Sequence, residues 1–208
     1  MKTFSTNESW LSKMAKLLLR ISLVYRPIAF GKRKINLRLL LVFPKKSGTR
    51  IRKDNFNGVD GEWISPLNAK PERLLLYFHG GGYTGGSART HRALISHIAY
   101  ACKASAFCVN YRLAPKYPYP AALDDAKQVW AAFSDTMNEK DIFLAGDSAG
   151  GGLCLALIHK LIQQKRALPG GAILISPWTD LSMSNPDTEI FQLKDPMLRI
   201  EDLKNYAR

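Results

Sequence analysis

The apolar run Ile142-Phe143-Leu144-Ala145 breaks into Gly146-Asp147-Ser148-Ala149-Gly150 and is followed by an apolar stretch with helical spacing. A strand that becomes a helix within five residues needs a strained backbone at its apex, and glycine two residues to either side lets neighbouring backbone pass that point. Bulk at 146 or 150 would clash. A chain carrying this unit is directed towards alternating strands and helices rather than an all-helical or all-strand fold. A G-x-S-x-G pattern also arises by chance in roughly one chain in fifteen of this size, given ordinary Gly and Ser frequencies. Its surroundings therefore decide its meaning.

From about residue 54 the surroundings agree with it. Apolar runs predict strands at Gly61–Ser65, Leu74–Phe78, Ala106–Tyr111, Ile142–Ala145 and Ala172–Ser176, with a further strand at Ile35–Phe43. Helical spacing predicts helices at His91–Lys103, Pro120–Ser134 and Ala149–Lys165, the last closed by Leu168-Pro169-Gly170-Gly171. A short helix is expected from Ile200 onward. This order predicts an α/β fold with a mostly parallel sheet and crossover helices.

A second glycine cluster, His79-Gly80-Gly81-Gly82, directly follows the strand Leu74–Phe78. A phosphate-binding loop would continue into Gly-Lys-Ser/Thr, whereas Tyr83-Thr84-Gly85-Gly86 follows here. The other chemistry that needs close backbone approach is acyl transfer, where a carbonyl oxygen turns negative and peptide N–H groups meet it. On that reading Ser148 is the nucleophile, and the N–H groups of Gly80, Gly81 and Ala149 are the oxyanion donors.

Charge divides the chain of 208 residues in two. Residues 1–53 hold 14 Lys or Arg against the single acid Glu8, and so carry the whole net charge of +13. The remainder is balanced. In the basic segment Trp10, Met14, Leu17, Ile21, Val24 and Ile28 recur at helical spacing, Ser5 and Glu8 form a capping box, and Pro27 ends the pattern. A lid packed on the body is the first reading, a weak membrane-surface contact the second, a nucleic-acid contact the third. Nucleic acid is not expected as a partner. The apolar stretch is short, is broken by Arg20 and lacks a small-residue cleavage site, so a cytoplasmic location is expected. Cys102, Cys108 and Cys154 have no C-x-x-C spacing and are expected as buried free thiols, and no metal motif is present.

Four segments in this order and spacing carry a family resemblance: His79–Tyr83, Asn110–Pro115, Tyr117–Asp125 and Gly146–Gly150. The chain resembles the hormone-sensitive lipase family of carboxylesterases over roughly residues 55 to 199. The resemblance implies an α/β-hydrolase fold with an N-terminal helical cap, and hydrolysis of short- to medium-chain esters without a cofactor. Residues 1–53 would then be the cap or lid. Residues 54–208 would be a core lacking its last strands and including the start of a second cap segment. His79 would shape its loop, Asp147 would be a structural acid, Asp124 or Asp125 would hydrogen-bond at a helix start, and Arg112 would clamp local backbone. Lys116 departs from the acidic residue usual after Ala-Pro, at a position that is not catalytic.

A serine nucleophile needs a histidine base held by an acid, and in this family both follow the serine. After Ser148 there is only His159, eleven residues along the same helix and so about 16 Å away at 1.5 Å per residue. The chain is therefore expected to be a truncated esterase that is nearly inert as it stands, with an apolar edge at Ala172–Ser176. The alternative is a non-catalytic small-molecule binding module of the same fold. Substrate chain length and oligomeric state are not legible.

Overall fold

The computed structural model describes residues 44–190, 195 and 198–207. The N-terminal helix expected from Ser5, with its lid role, and the strand expected at Ile35–Phe43 lie outside the described residues. Two compact units divide the chain, one spanning Lys34–Thr179 and the other including the residues from Asp180 onward.

The first unit is built on six strands: β1 (Arg50–Phe56), β2 (Val59–Ser65), β3 (Lys70–Phe78), β4 (Ala104–Val109), β5 (Ile142–Asp147) and β6 (Gly171–Ile175). Its helices are α1 (Ala88–Cys102), α2 (Ala121–Ser134) and α3 (Ala149–Gln163), with a 3₁₀ turn at Glu139–Asp141. The sheet order is β1-β2-β4-β3-β5-β6, parallel from β4 to β6 and antiparallel at β1 and β2. It is the α/β-hydrolase architecture that the motifs imply.

β1 is absent from the sequence expectation. Its run Arg50-Ile51-Arg52-Lys53-Asp54-Asn55-Phe56 is too charged to read as a strand, and its residues 50–53 fall within the basic segment. The legible signal was Asn57-Gly58, where both residues have positive φ (53° and 90°) and close a tight hairpin to β2.

Alternation along β3 sorts the core into two layers. Leu74, Leu76 and Phe78 face α2 and α3, packing with Val129, Trp130, Phe133, Leu153 and Leu157. Leu75 and Tyr77 face α1, packing with Ile95 and Ala99. Side chains of period two on a sheet covered on both faces produce this division. α1 begins three residues before the expected start, because Ser87 and Thr90 cap it reciprocally. Arg92 on α1 grips the buried Glu62 of β2 through two bonds of 2.7 Å, tying helix to sheet. Among the described residues β6 pairs only with β5, and Phe143 and Ile175 are exposed beside that edge.

In the second unit Asp180 accepts bonds from the backbone and side chains of Ser182 and Ser184, which hold its carboxyl down to about 2. A short helix, α4 (Ile200–Tyr206), stands where one was expected. Among the described residues no helix is long and apolar enough to cross a membrane.

Candidate active site

The chain crosses from β4 over β3 to β5, so the loops leaving β3 and β5 are neighbours at the carboxyl end of the sheet. In such sheets this is where crevices open. The register pairs Phe78 with Gly146, which sets His79 and Gly80 beside Asp147 and Ser148. The two glycine motifs, 67 residues apart in sequence, are thereby brought together.

Ser148 sits at the apex of the turn with φ 51° and ψ −120°, a conformation that L-residues rarely adopt. The surrounding backbone holds it there. Its N–H donates to Ile175 O at 2.9 Å, and its carbonyl accepts from Gly152 N–H at 3.1 Å and Trp178 N–H at 2.8 Å. The half-buried Ser148 hydroxyl makes no hydrogen bond among the described residues.

The glycine loop corrects one sequence expectation. Gly80 N–H donates to Asp147 Oδ1 at 3.0 Å and so is committed within the protein instead of being free to meet an oxyanion. Gly81 and Gly82, with φ of 129° and 63°, leave their N–H groups without acceptors among the described residues. Ala149 is the first residue of α3, where N–H groups lack helical partners. The free donors of this region are thus Gly81, Gly82 and Ala149. Gly82 belongs to the same run as Gly80 and Gly81, and composition cannot tell which peptide of a glycine run is already bonded.

Asp147 is the hub. Its Oδ1 also accepts from Tyr77 OH at 2.8 Å, and His91 Nε2 stands 3.5 Å from Oδ2. Burial raises this carboxyl, but His91, Tyr77 and the Gly80 N–H together outweigh burial and hold it below its ordinary value. Burial pushes the neighbouring Tyr77 hydroxyl upward and the Cys154 thiol up to about 12. Cys108 is buried with it, whereas Cys102 is half-buried rather than buried as expected.

All four histidines are described, and each is engaged away from Ser148. His79 Nδ1 donates to Gly80 O at 2.9 Å, its ring stacks on Tyr111 at 4.3 Å, and its carbonyl accepts from Tyr111 OH at 2.6 Å. It shapes the loop. His91 Nδ1 lies against Ser87 O, His97 Nε2 against Pro44 O, and His159 Nε2 against Gln163. Asp125, 3% exposed, accepts from Arg112 N–H and Nε–H at 2.7 and 2.8 Å, so the clamp lies between this pair. Asp124 instead pairs with Lys127. No group of three His, Cys, Asp or Glu among the described residues could hold a metal.

Burial lowers the His79 ring to about 4, so the folded protein keeps it neutral where an unfolded chain protonates it near 6.5. Between these values the unfolded state binds more protons, and stability falls as pH drops from 6.5 towards 4, by about 3 kcal/mol across the window. A titration of the His79 ring proton by NMR should show a midpoint near 4; a midpoint near 6.5 would contradict the buried, neutral ring.

Comparison with known proteins gives concordant findings. The alpha/beta hydrolase fold family matches residues 75–208. The chain is 38% identical over 168 residues to an esterase of Acinetobacter venetianus, covering 80% of this chain and 55% of that protein. It is 32% identical over 148 residues to the hormone-sensitive lipase of Homo sapiens, covering 68% of this chain and 14% of that protein. A crystal structure of an esterase from the bacterial hormone-sensitive lipase family superposes with a TM-score of 0.89 at 30% identity, covering 97% of this chain and 69% of that one. The chain spans about half the length of the bacterial curated relatives it matches.

Proposed function

This chain belongs to the hormone-sensitive lipase family of α/β-hydrolases, and from that premise we propose that it presents the nucleophile and oxyanion donors of a serine carboxylesterase. One observation carries the reading: the strained Ser148 stands on the loop beside the glycine run, and neither its hydroxyl nor the N–H groups of Gly81, Gly82 and Ala149 have a hydrogen-bond partner among the described residues. Ser148 Oγ attacks the carbonyl carbon of a small ester with a short to medium acyl chain, and its proton passes to a base. The three N–H groups receive the charge that develops on the carbonyl oxygen. The alkoxide leaves with a proton, and water then releases the acid from the acyl-serine.

None of the four histidines is that base. Nucleophile and donors without it give about 10³–10⁴-fold over water at best, so the polypeptide alone turns over slowly. Supplying the base from solution tests the reading. Imidazole added to the 208-residue chain should accelerate p-nitrophenyl acetate hydrolysis beyond imidazole's own reaction, and Ser148→Ala should return the rate to that of imidazole alone. A Ser148→Ala rate equal to wild type would defeat the proposal.

The occupied histidines favour a second reading, a small-molecule binding module. It predicts saturable binding of the ester with no imidazole-dependent turnover.

A further inference from the structure

The His91 ring is 1% exposed and has no role in the chemistry above. It projects from α1 into the space behind the elbow, and its ring centroid lies 5.5 Å from that of His79. Its Nδ1 lies 2.9 Å from Thr90 Oγ1 and 3.1 Å from Ser87 O. Its Nε2 is buried and makes no hydrogen bond among the described residues, and the charged group beside it is the Asp147 carboxylate at 3.5 Å. A lone pair on Nε2 would face an anion across a poorly solvated gap, which is unfavourable for both partners. A proton there suits both, and a shift of roughly half an ångström would complete the bond.

Thr90 Oγ1 also lies 2.8 Å from Ser87 O, so its one proton serves either that carbonyl or His91 Nδ1. With Thr90 OH donating to Nδ1 the neutral ring carries its proton on Nε2; with Thr90 OH donating to Ser87 O, Nδ1 is the donor and a charged ring keeps a proton on Nε2 as well. A neutral ring with its proton on Nδ1 is the arrangement that sets a bare Nε2 against the Asp147 carboxylate.

We propose that His91 is a positioning residue, holding the Asp147 carboxylate through Nε2–H so that Asp147 in turn fixes Gly80 N–H and orients the free N–H groups of Gly81 and Gly82. The chain of contacts runs from helix α1 through the elbow to the glycine loop. Asp147 Oδ1 already serves Tyr77 OH and Gly80 N–H, so His91 is the group that steadies the other oxygen. Without it the carboxylate can rotate about its Cβ–Cγ bond, and the Gly80 peptide moves with it. The inference rests on the esterase reading for its effect on reactivity, but the proton on Nε2 stands independently of that reading.

Two measurements on the full 208-residue chain test it. The first is the ring ¹⁵N spectrum of His91, which should show a protonated Nε2; a lone-pair signal at Nε2 overturns the proposal. The second is the rate at which a fluorophosphonate labels Ser148 in imidazole buffer. His91→Phe keeps the ring and removes the donor, and should slow labelling by about tenfold to a hundredfold, the scale of a small misplacement of catalytic groups. His91→Gln places an amide N–H near the Nε2 position and should recover most of the loss. Equal rates for wild type and His91→Phe, or an equal loss in both variants, overturns the proposal. Should His91→Phe fail to fold, the ring spectrum and the His91→Gln rate decide, with a loss as large as tenfold in His91→Gln counting against it. Absence of labelling in the wild type would defeat the esterase reading instead, and the ring spectrum would still decide the position of the proton.

Discussion

Gly150→Ala should unfold the elbow. A Cβ at this position would fall inside the van der Waals envelope of Phe78 O, 2.6 Å from Phe78 C and 2.7 Å from His79 O. These are backbone atoms of the central strand β3 and the start of the glycine loop, so nothing flexible can swing aside. Either α3 moves off the sheet, breaking the layer that holds Leu153 and Leu157, or β3 is displaced. Overpacking of a well-filled core costs about 1–3 kcal/mol where side chains can adjust, and more where backbone must. A loss of at least about 3 kcal/mol in denaturant unfolding is expected, or failure to fold at 37 °C. A loss below about 1 kcal/mol would mean that strand and helix are less closely apposed than described here.

Gly81→Ala should spare the core and strike the chemistry. Residue 81 has φ 129°, which an alanine adopts only under strain, and a Cβ there would collide with Gly85 O and lie 2.6 Å from Gly85 C. The turn that Thr84 and Gly85 N–H close onto Gly81 O would have to open. Because the loop lies beyond the end of β3 and Gly81 itself is only half-buried, the sheet can persist while the N–H groups of Gly81 and Gly82 lose their direction. Removing one oxyanion donor costs about 10²–10³ in rate, and a similar fall is expected in the imidazole-dependent turnover at Ser148. Circular dichroism and thermal unfolding near wild type, together with that fall, would separate this outcome from general unfolding. Unchanged turnover would remove the glycine loop from the account.

The signals that point to this candidate site are local. Gly146–Gly150 places glycine on either side of the strained Ser148 at the end of a readable strand, and His79–Gly82 does the same for a loop after β3. The partners of Asp147 were not legible, since Tyr77, Gly80 and His91 converge on it only through the β3–β5 register and the packing of α1. Which glycine N–H is already bonded within the protein depends on that convergence, so composition alone does not separate Gly80 from Gly81 and Gly82. Boundaries failed where charge masked structure. β1 carries Arg50, Arg52 and Lys53 on an edge strand whose exposed face tolerates them, so its hydrophobic alternation is weak. The first turn of α1 is fixed by the Ser87–Thr90 cap, for which a Thr at the third position is a fainter signal than the usual acid or amide.

Asp125 shows the opposite case. Its place after Tyr117–Leu123 suggested a hydrogen-bonding residue at a helix start, and the structure seats it, buried, on both the backbone and side chain of Arg112. Asp124 and Asp125 are equivalent by sequence position alone. The helical position decides: 125 turns inward with Leu123, Ala126 and Val129, while Asp124 reaches Lys127 on the outer face.

The proposed role of Ser148, a nucleophile poised by its own backbone, is tested by reaction of the folded chain with a fluorophosphonate in imidazole buffer, followed by mass mapping of the adduct. One adduct per chain is expected, carried by Ser148 and lost in Ser148→Ala. An adduct on another residue, or none on a chain shown to be folded, would contradict it.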